Sequence, residues 1–500
     1  MIYDTLCNID DLLWDTPFLA MLIVCGVYLT IRSGFFSFLN FGHVMKNTFG
    51  SLFSESQHEK AKGRISPFEA MCVAIGGTVG TGNIAGVAAA IATGGPGAVF
   101  WMWIWAFFGM TIKSVEVTLA CYYRSKDSEG RFFGGPTYYM EKGLVKEKGY
   151  KWAWILIFGF AAGMLIQYIA GSQAYTISEA LYNTFGLNQI VFVLVYSAFL
   201  IYIIWKGVPR IATIASKMVP FMCVLYLLGG LILILANVHT LPSVIVSIFK
   251  GAFTPIAATG GTAGYAVKTA IAKGLSRSMN SNEAGQGTSP MIHASANTVH
   301  PVRQGLWGAF EVFVDTIIVC TITALGILCT GVISTGQTST GLTIEAFQSV
   351  FGTAGAVFIG VICFLFGLTT TAGWFTYYTS IVHHILRNHE AIADKIDQVL
   401  KICYPIPNIV IVVMIVVTGS GPDMFWVITD ISLVIPIFFN ILSLVLMGGK
   451  YKELLKDYKA RYLGIGKVDP NFKVFYEDEE GNIIDEDFRF RKCRINPSLR

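Results

Sequence analysis

Eleven apolar stretches, each close to the length of one bilayer crossing, constrain this chain more than any other feature. They centre near residues 17–35, 67–91, 97–122, 152–180, 188–205, 211–236, 255–273, 304–333, 353–385, 405–419 and 424–447. A helix needs about 20 mostly apolar residues to cross the hydrocarbon layer. Only 14% of the residues are charged, against roughly a quarter in a soluble domain. Spans, loops and one tail use up the 500 residues, leaving no room for a separate soluble domain. The reading is an all-α polytopic membrane protein with eleven transmembrane helices.

Basic residues alternate between loops. Those following spans 1, 3, 5, 7 and 9, with the C-terminal tail, hold 34 of the 36 Lys and Arg. Lys250 lies in a loop on the other side and Lys113 inside span 3. The positive-inside rule then predicts a cytoplasmic tail and an external N-terminus, with the protein in the inner or plasma membrane. The first 15 residues carry Asp4, Asp10, Asp11 and Asp15 but no Lys or Arg, so the first span is expected to be retained rather than cleaved. Ten cysteines stand singly, without the spacing of a zinc, haem or iron–sulfur site.

After a lone N-terminal helix (1–40), ten spans divide into two sets of five, 67–236 and 255–448, followed by a tail, 449–500. Each set opens with a glycine-broken helix. The first reads Gly76-Gly77-Thr78-Val79-Gly80-Thr81-Gly82-Asn83 and the second Gly260-Gly261-Thr262-Ala263-Gly264. Five is odd, so the halves face opposite ways. Matched breaks in two inverted halves point to a transporter's binding site. A broken helix in lipid leaves amides and carbonyls unpaired, at several kcal/mol each, unless protein or ligand completes them. Freed carbonyls suit a cation, and half-helix N-termini suit a carboxylate. Close packing through small residues would also enrich glycine, but two matched clusters that each hold a polar residue favour a site.

Few polar residues lie at membrane depth. Lys113 and Glu116, three apart on one helix face, are expected to pair. Asp315 has no basic neighbour in its run, and a proton or cation role and a merely capped carboxylate both stay open. Gln173, in span 4, can donate to and accept from a zwitterion; an interhelical hydrogen bond is the other reading. Thr369, Thr370 and Thr371 offer hard oxygens near a broken helix, whereas a lone threonine run back-bonds to its own helix. The loop Ser281-Asn282-Glu283-Ala284-Gly285-Gln286-Gly287 lacks a Walker lysine and reads as a hinge or inner gate. His293, His300, His383 and His384 show no metal-like spacing and read as interfacial. Basic residues in the tail are interleaved with acidic ones, which argues against nucleic acid.

Four stretches carry a resemblance: Gly94 to Met110 (GGPGAVFWMWIWAFFGM), Gly80 to Gly86 (GTGNIAG), Ser281 to Gly287 (SNEAGQG) and His300 to Gly305 (HPVRQG). Together they make the chain similar to the sodium:alanine symporter family, the alanine/glycine:cation symporters, across spans 1 to 11. The resemblance implies the leucine-transporter fold of two inverted five-helix repeats, here with one extra helix in front. It implies that the amides at Thr81 and Gly82 take the substrate carboxylate, beside Asn83, Gln173 and the pocket-walling Trp374. It further implies a sodium site from the carbonyls of Gly76 and Val79 with the hydroxyls of Thr369 and Thr370. Gly260, Gly261 and Thr262 complete the pocket from the second break, where the family usually has Gly-Gly-Phe-Ala-Gly. Tyr175 and Thr371 also depart from the usual asparagine and isoleucine.

The expectation is therefore no enzyme but a symporter, taking a small neutral amino acid, alanine or glycine, with sodium by alternating access. Uptake of a larger neutral amino acid such as glutamine, coupled to sodium or protons, is the alternative. From another class the rival is an ion channel, although channels repeat a filter about a symmetric axis. The partners are the amino acid, sodium and the lipid bilayer, with no nucleic acid and no evident protein partner.

Overall fold

The computed structural model describes residues 2–53, 65–127, 130–170, 173–254 and 263–476. Most of them are helical, joined by turns and short loops, with a two-stranded hairpin, Ser125–Lys126 with Phe132–Phe133. Helix starts follow local chemistry. Ser66 caps Pro67–Thr78: its hydroxyl accepts from the Glu69 amide at 3.1 Å, and the Glu69 carboxylate accepts from the Ser66 amide at 2.9 Å. That reciprocal box, with proline in the first turn, satisfies donors a helix start leaves open. His300 does the same for Pro301–Val312, its Nδ1 accepting from Val302 at 3.1 Å.

Among the described residues seven helices are long and apolar enough to cross a membrane, and two bent pairs raise the number to nine. One pair is Tyr3–Leu13 with Thr16–Arg32, bent by 41°; the other is Pro67–Thr78 with Thr81–Gly94, bent by 55°. Gln189–Ile204 is apolar but short, at 16 residues. Ala263–Asn282 occupies the place expected of span 7 but runs on past residue 273. Helices also form at Leu241–Phe253, Ser339–Phe351 and the charged segment Glu390–Cys403.

Outward faces of the apolar helices carry Phe158, Leu165, Val195, Phe221, Leu228 and Val417, all well exposed. An apolar belt on that scale is a surface for lipid. The protein is a multi-pass membrane protein.

The expected tail boundary at 449 falls inside an unbroken helix, Gly421–Leu463. At 1.5 Å per residue its 43 residues reach about 65 Å, twice the hydrocarbon thickness. Its end is docked rather than solvated: Tyr451, Leu454 and Tyr458 are buried, and Asp457 accepts from His300 at 3.2 Å. The chain then returns to the Gly97–Tyr122 helix, where the Tyr476 amide donates to Tyr122 O at 2.9 Å. Phe475 packs against the Arg124 guanidinium.

Candidate functional site

The break between Pro67–Thr78 and Thr81–Gly94 is fully buried and carries most of the expected site residues. Val79 turns to ψ 88° and Gly80 is fully extended, ending the helix before a single tight turn, Thr81–Asn83. Regular helix would send the Gly80 amide to the Gly76 carbonyl. Instead that amide donates to Asn83 Oδ1 at 2.9 Å, and the Gly76 carbonyl accepts from Thr370 Oγ1 at 3.0 Å. The Gly77 carbonyl accepts from Trp374 Nε1 at 3.3 Å. Side chains of the continuous helix Thr353–Ile385 thus take over carbonyls that the broken helix has released. Glycine is required by this approach: a methyl at Gly80 would run into the Thr370 hydroxyl, and one at Gly77 would lie 2.5 Å from the Tyr377 hydroxyl.

Thr369 stands beside Gly76, its Cβ 3.3 Å from where a Gly76 methyl would be. Its hydroxyl back-bonds to Leu365 O and Phe366 O at 3.1 and 2.9 Å. Thr371 turns away: Tyr196 donates to its hydroxyl at 2.8 Å, and it donates to Gly367 O at 2.8 Å. All three threonines thus lie within hydrogen-bond reach of a carbonyl of their own helix, Thr370 of Phe366 O at 3.0 Å, and Thr370 also reaches the broken helix.

On the far side of the break the Thr81 hydroxyl donates to Gln173 Oε1. Gln173 precedes Ala174–Phe185. The structure brings Gly76, Thr369 and Thr370 together at one end of the break, Gly77 and Trp374 beside them, and Thr81 and Gln173 at the other end. Gly82 packs near the Asn280 carbonyl. Gly260, Gly261 and Thr262 lie outside the described residues. Asn83 faces elsewhere, its Nδ2 donating to Asp315 Oδ1 at 2.6 Å.

Several charged groups have partners that spacing did not reveal. Lys113 pairs not with Glu116 but with Glu311, at 3.8 Å, and donates to Glu283 O and Ser289 Oγ. Glu116 instead accepts from Asn440 Nδ2 at 2.5 Å. Lys273 and Arg277, which the charge count places in a basic loop, are held inside Ala263–Asn282. Arg277 forks onto Asp430, and Lys273 reaches Asp10 at 2.8 Å and Asp430 at 3.3 Å. Lys268 pairs with Asp15 at 2.6 Å. Lys268 and Lys273 answer the acidic N-terminus and Arg277 answers Asp430, so of that loop's count only Arg303 remains. An N-terminal run of aspartates lacking any nearby cation was the signal.

The four histidines are buried, each against a carboxylate: Glu311, Asp457, Asp397 and Glu141, at 2.9 to 3.2 Å. His383, Asp394 and Asp397 lie close enough to share a cation, but Arg131 already donates to Asp394 at 3.2 Å. Burial alone pushes the Glu141 carboxyl up. Hydrogen bonds from His384 and Arg387, and their charge, outweigh it and hold Glu141 down at about 2.

With this geometry in place, comparison decides the family. The profile of the sodium:alanine symporter family matches residues 1–473. The chain belongs to that family. It is similar to the sodium/alanine symporter AgcS of Methanococcus maripaludis, 35% identical over 382 residues, 74% of this chain and 81% of the relative. It is also similar to the probable sodium/glutamine symporter GlnT of Bacillus subtilis, 35% identical over 471 residues, 94% of this chain and 92% of the relative. Among solved structures it resembles MhsT in complex with L-phenylalanine, at TM-score 0.54 and 13% identity, covering 79% of this chain and 96% of that one. At that identity the likeness shows the fold, which is that of the leucine-transporter group. The protein is a membrane transporter of the amino-acid:cation symport class, not an enzyme.

Proposed function

We propose that this protein carries alanine or glycine into the cell together with sodium, by alternating access around the break at residues 79–83. One observation carries the reading: the Gly76 carbonyl is released from its helix and met at 3.0 Å by the Thr370 hydroxyl. A sodium ion there takes oxygens from both helices, from Gly76 and Val79 on one and Thr369 and Thr370 on the other. The substrate carboxylate meets the amides at Thr81 and Gly82, with Gln173, Trp374 and the second break, Gly260 to Thr262, closing the pocket, while Asn83 braces the turn through the Gly80 amide. The two ligands complete one main-chain defect, so each raises the affinity for the other.

In this reading eleven spans form one leading helix and two inverted sets of five, with the N-terminus outside and the tail in the cytoplasm. The basic loops after spans 1, 3, 5 and 9 support that orientation. Glutamine is the second candidate substrate, favoured by Thr262 in place of a phenyl ring and by the similarity to GlnT.

The test is uptake into liposomes holding purified protein. Labelled alanine or glycine should accumulate only under an inward sodium gradient. Preference for glutamine over both would move the substrate assignment, and equal uptake in choline would overturn the coupling.

A further inference from the structure

A further interruption lies within the described residues. Ala263–Asn282 ends where Glu283 takes a left-handed φ of 53°, Gly285 and Gly287 follow at 93° and 82°, and helix resumes as Ser289–Ala294. A non-glycine residue at such a φ is uncommon and must be held there by its surroundings. The interruption abuts the first break: a methyl on Gly82 would lie 3.5 Å from the Asn280 carbonyl and 3.7 Å from Ser281 Cα. The two share a local device. As Asn83 takes the Gly80 amide, Asn282 Oδ1 accepts from the Ala284 amide at 2.9 Å.

They differ in what meets the carbonyls. At the first break neutral donors, Thr370 and Trp374, reach the Gly76 and Gly77 carbonyls. At the interruption the Gly285 carbonyl accepts from Asn440 Nδ2 at 2.8 Å, but the Glu283 carbonyl accepts from an ammonium, Lys113 Nζ, at 2.9 Å. Lys113 belongs to Gly97–Tyr122 and is fully buried. The same nitrogen donates to Ser289 Oγ at 2.8 Å, across the interruption, and stands 3.8 Å from Glu311 Oε1. An ammonium has three N–H groups, and these find one partner on each side of the interruption and one on the next helix, Pro301–Val312. Glu311 is held in turn by His293, which rides on Ser289–Ala294, at 3.0 Å. Burying an ammonium costs several kcal/mol even when it is paired, and an ionisable group at membrane depth points to function by default. An apolar side chain would fill the same space, but it could not tie a main-chain carbonyl to a hydroxyl on the far side.

We propose that Lys113 is a tethered cation at this interruption, doing permanently there what sodium does reversibly between Gly76 and Thr370. Its role is positioning. It fixes the Glu283 main chain and the start of Ser289–Ala294 beside the turn that receives the substrate, so this wall is set whether or not sodium is bound. The inference rests on the symport reading and adds to it a residue that touches neither substrate nor sodium.

The experiment is labelled alanine uptake by proteoliposomes of Lys113→Ala, with propylammonium, which replaces the atoms lost, present or absent from purification onward. Sodium-driven uptake should fall at least roughly hundred-fold. Propylammonium should restore it at least roughly ten-fold, whereas tetramethylammonium, which has the charge but no N–H, should restore nothing. The restored uptake should keep the wild-type sodium dependence, because the first break is untouched. Should Lys113→Ala not fold, Ser289→Ala keeps the charge pair and removes one acceptor. It should raise the alanine KM roughly ten-fold with sodium dependence unchanged. Uptake in Lys113→Ala close to wild type, a loss that propylammonium does not relieve, or a Ser289→Ala variant with wild-type KM would overturn the tethered cation while leaving symport intact. Wild-type uptake indifferent to sodium would instead defeat the symport reading on which it rests.

Discussion

The two helices that meet at the centre differ in one respect. Residues 67–94 form a pair bent by 55° at a glycine-rich break, whereas Thr353–Ile385 runs for 33 residues without interruption. The broken partner supplies main-chain groups and almost no side chain. The continuous one supplies side chains, the Thr370 hydroxyl and the Trp374 indole, at the heights where carbonyls are released. Neither arrangement makes a site alone. A break without the threonines would leave carbonyls bare, and threonines beside an intact helix would all back-bond, as Thr369 does with Leu365 and Phe366.

The sharpest way to break this pairing is Gly80→Ala. The added methyl meets the Thr370 hydroxyl, so the helices must separate or the turn must close. Uptake should be abolished, with a loss of roughly 1–3 kcal/mol in stability as for an overpacked core; normal uptake would mean the contact is not needed. Thr370→Val keeps the shape and removes the oxygen. It should raise the sodium concentration for half-maximal uptake at least roughly ten-fold, a loss of about 1.4 kcal/mol or more, while Thr370→Ser should stay close to wild type. Trp374→Phe retains the ring and loses the bond to Gly77 O, for about 1 kcal/mol and roughly five-fold in substrate KM.

The smallest effect is expected away from the break. Glu141, held at about 2 by His384 and Arg387, is depressed below its ordinary value. Its contribution is therefore complete above the unfolded carboxyl range and is lost as pH falls through about 4 toward 2. In the wild type the melting temperature should drop over that window. Glu141→Gln should flatten the drop, with sodium dependence at neutral pH unchanged; an equally steep drop in the variant would deny the pairing its role.

The sequence makes the broken helix legible because glycine clusters and a capped proline start are local signals: Ser66, Pro67 and Glu69 announce the start, and Gly76 to Gly82 the end. It makes the long-range charge partners illegible. Lys113 and Glu116 share a helix face, yet their partners are Glu311 and Asn440, far along the chain. Lys273 and Arg277 look like loop cations because their acidic partners, Asp10 and Asp430, come from opposite ends of the sequence. The same limit hid the link from Asn83 to Asp315, two residues singled out for unrelated reasons.

Reciprocal binding to purified protein tests the centre of this account most directly. Sodium should tighten alanine binding, and alanine should tighten sodium binding by the same factor, with Thr370→Val removing both effects. Alanine affinity that does not change between sodium and choline would contradict it.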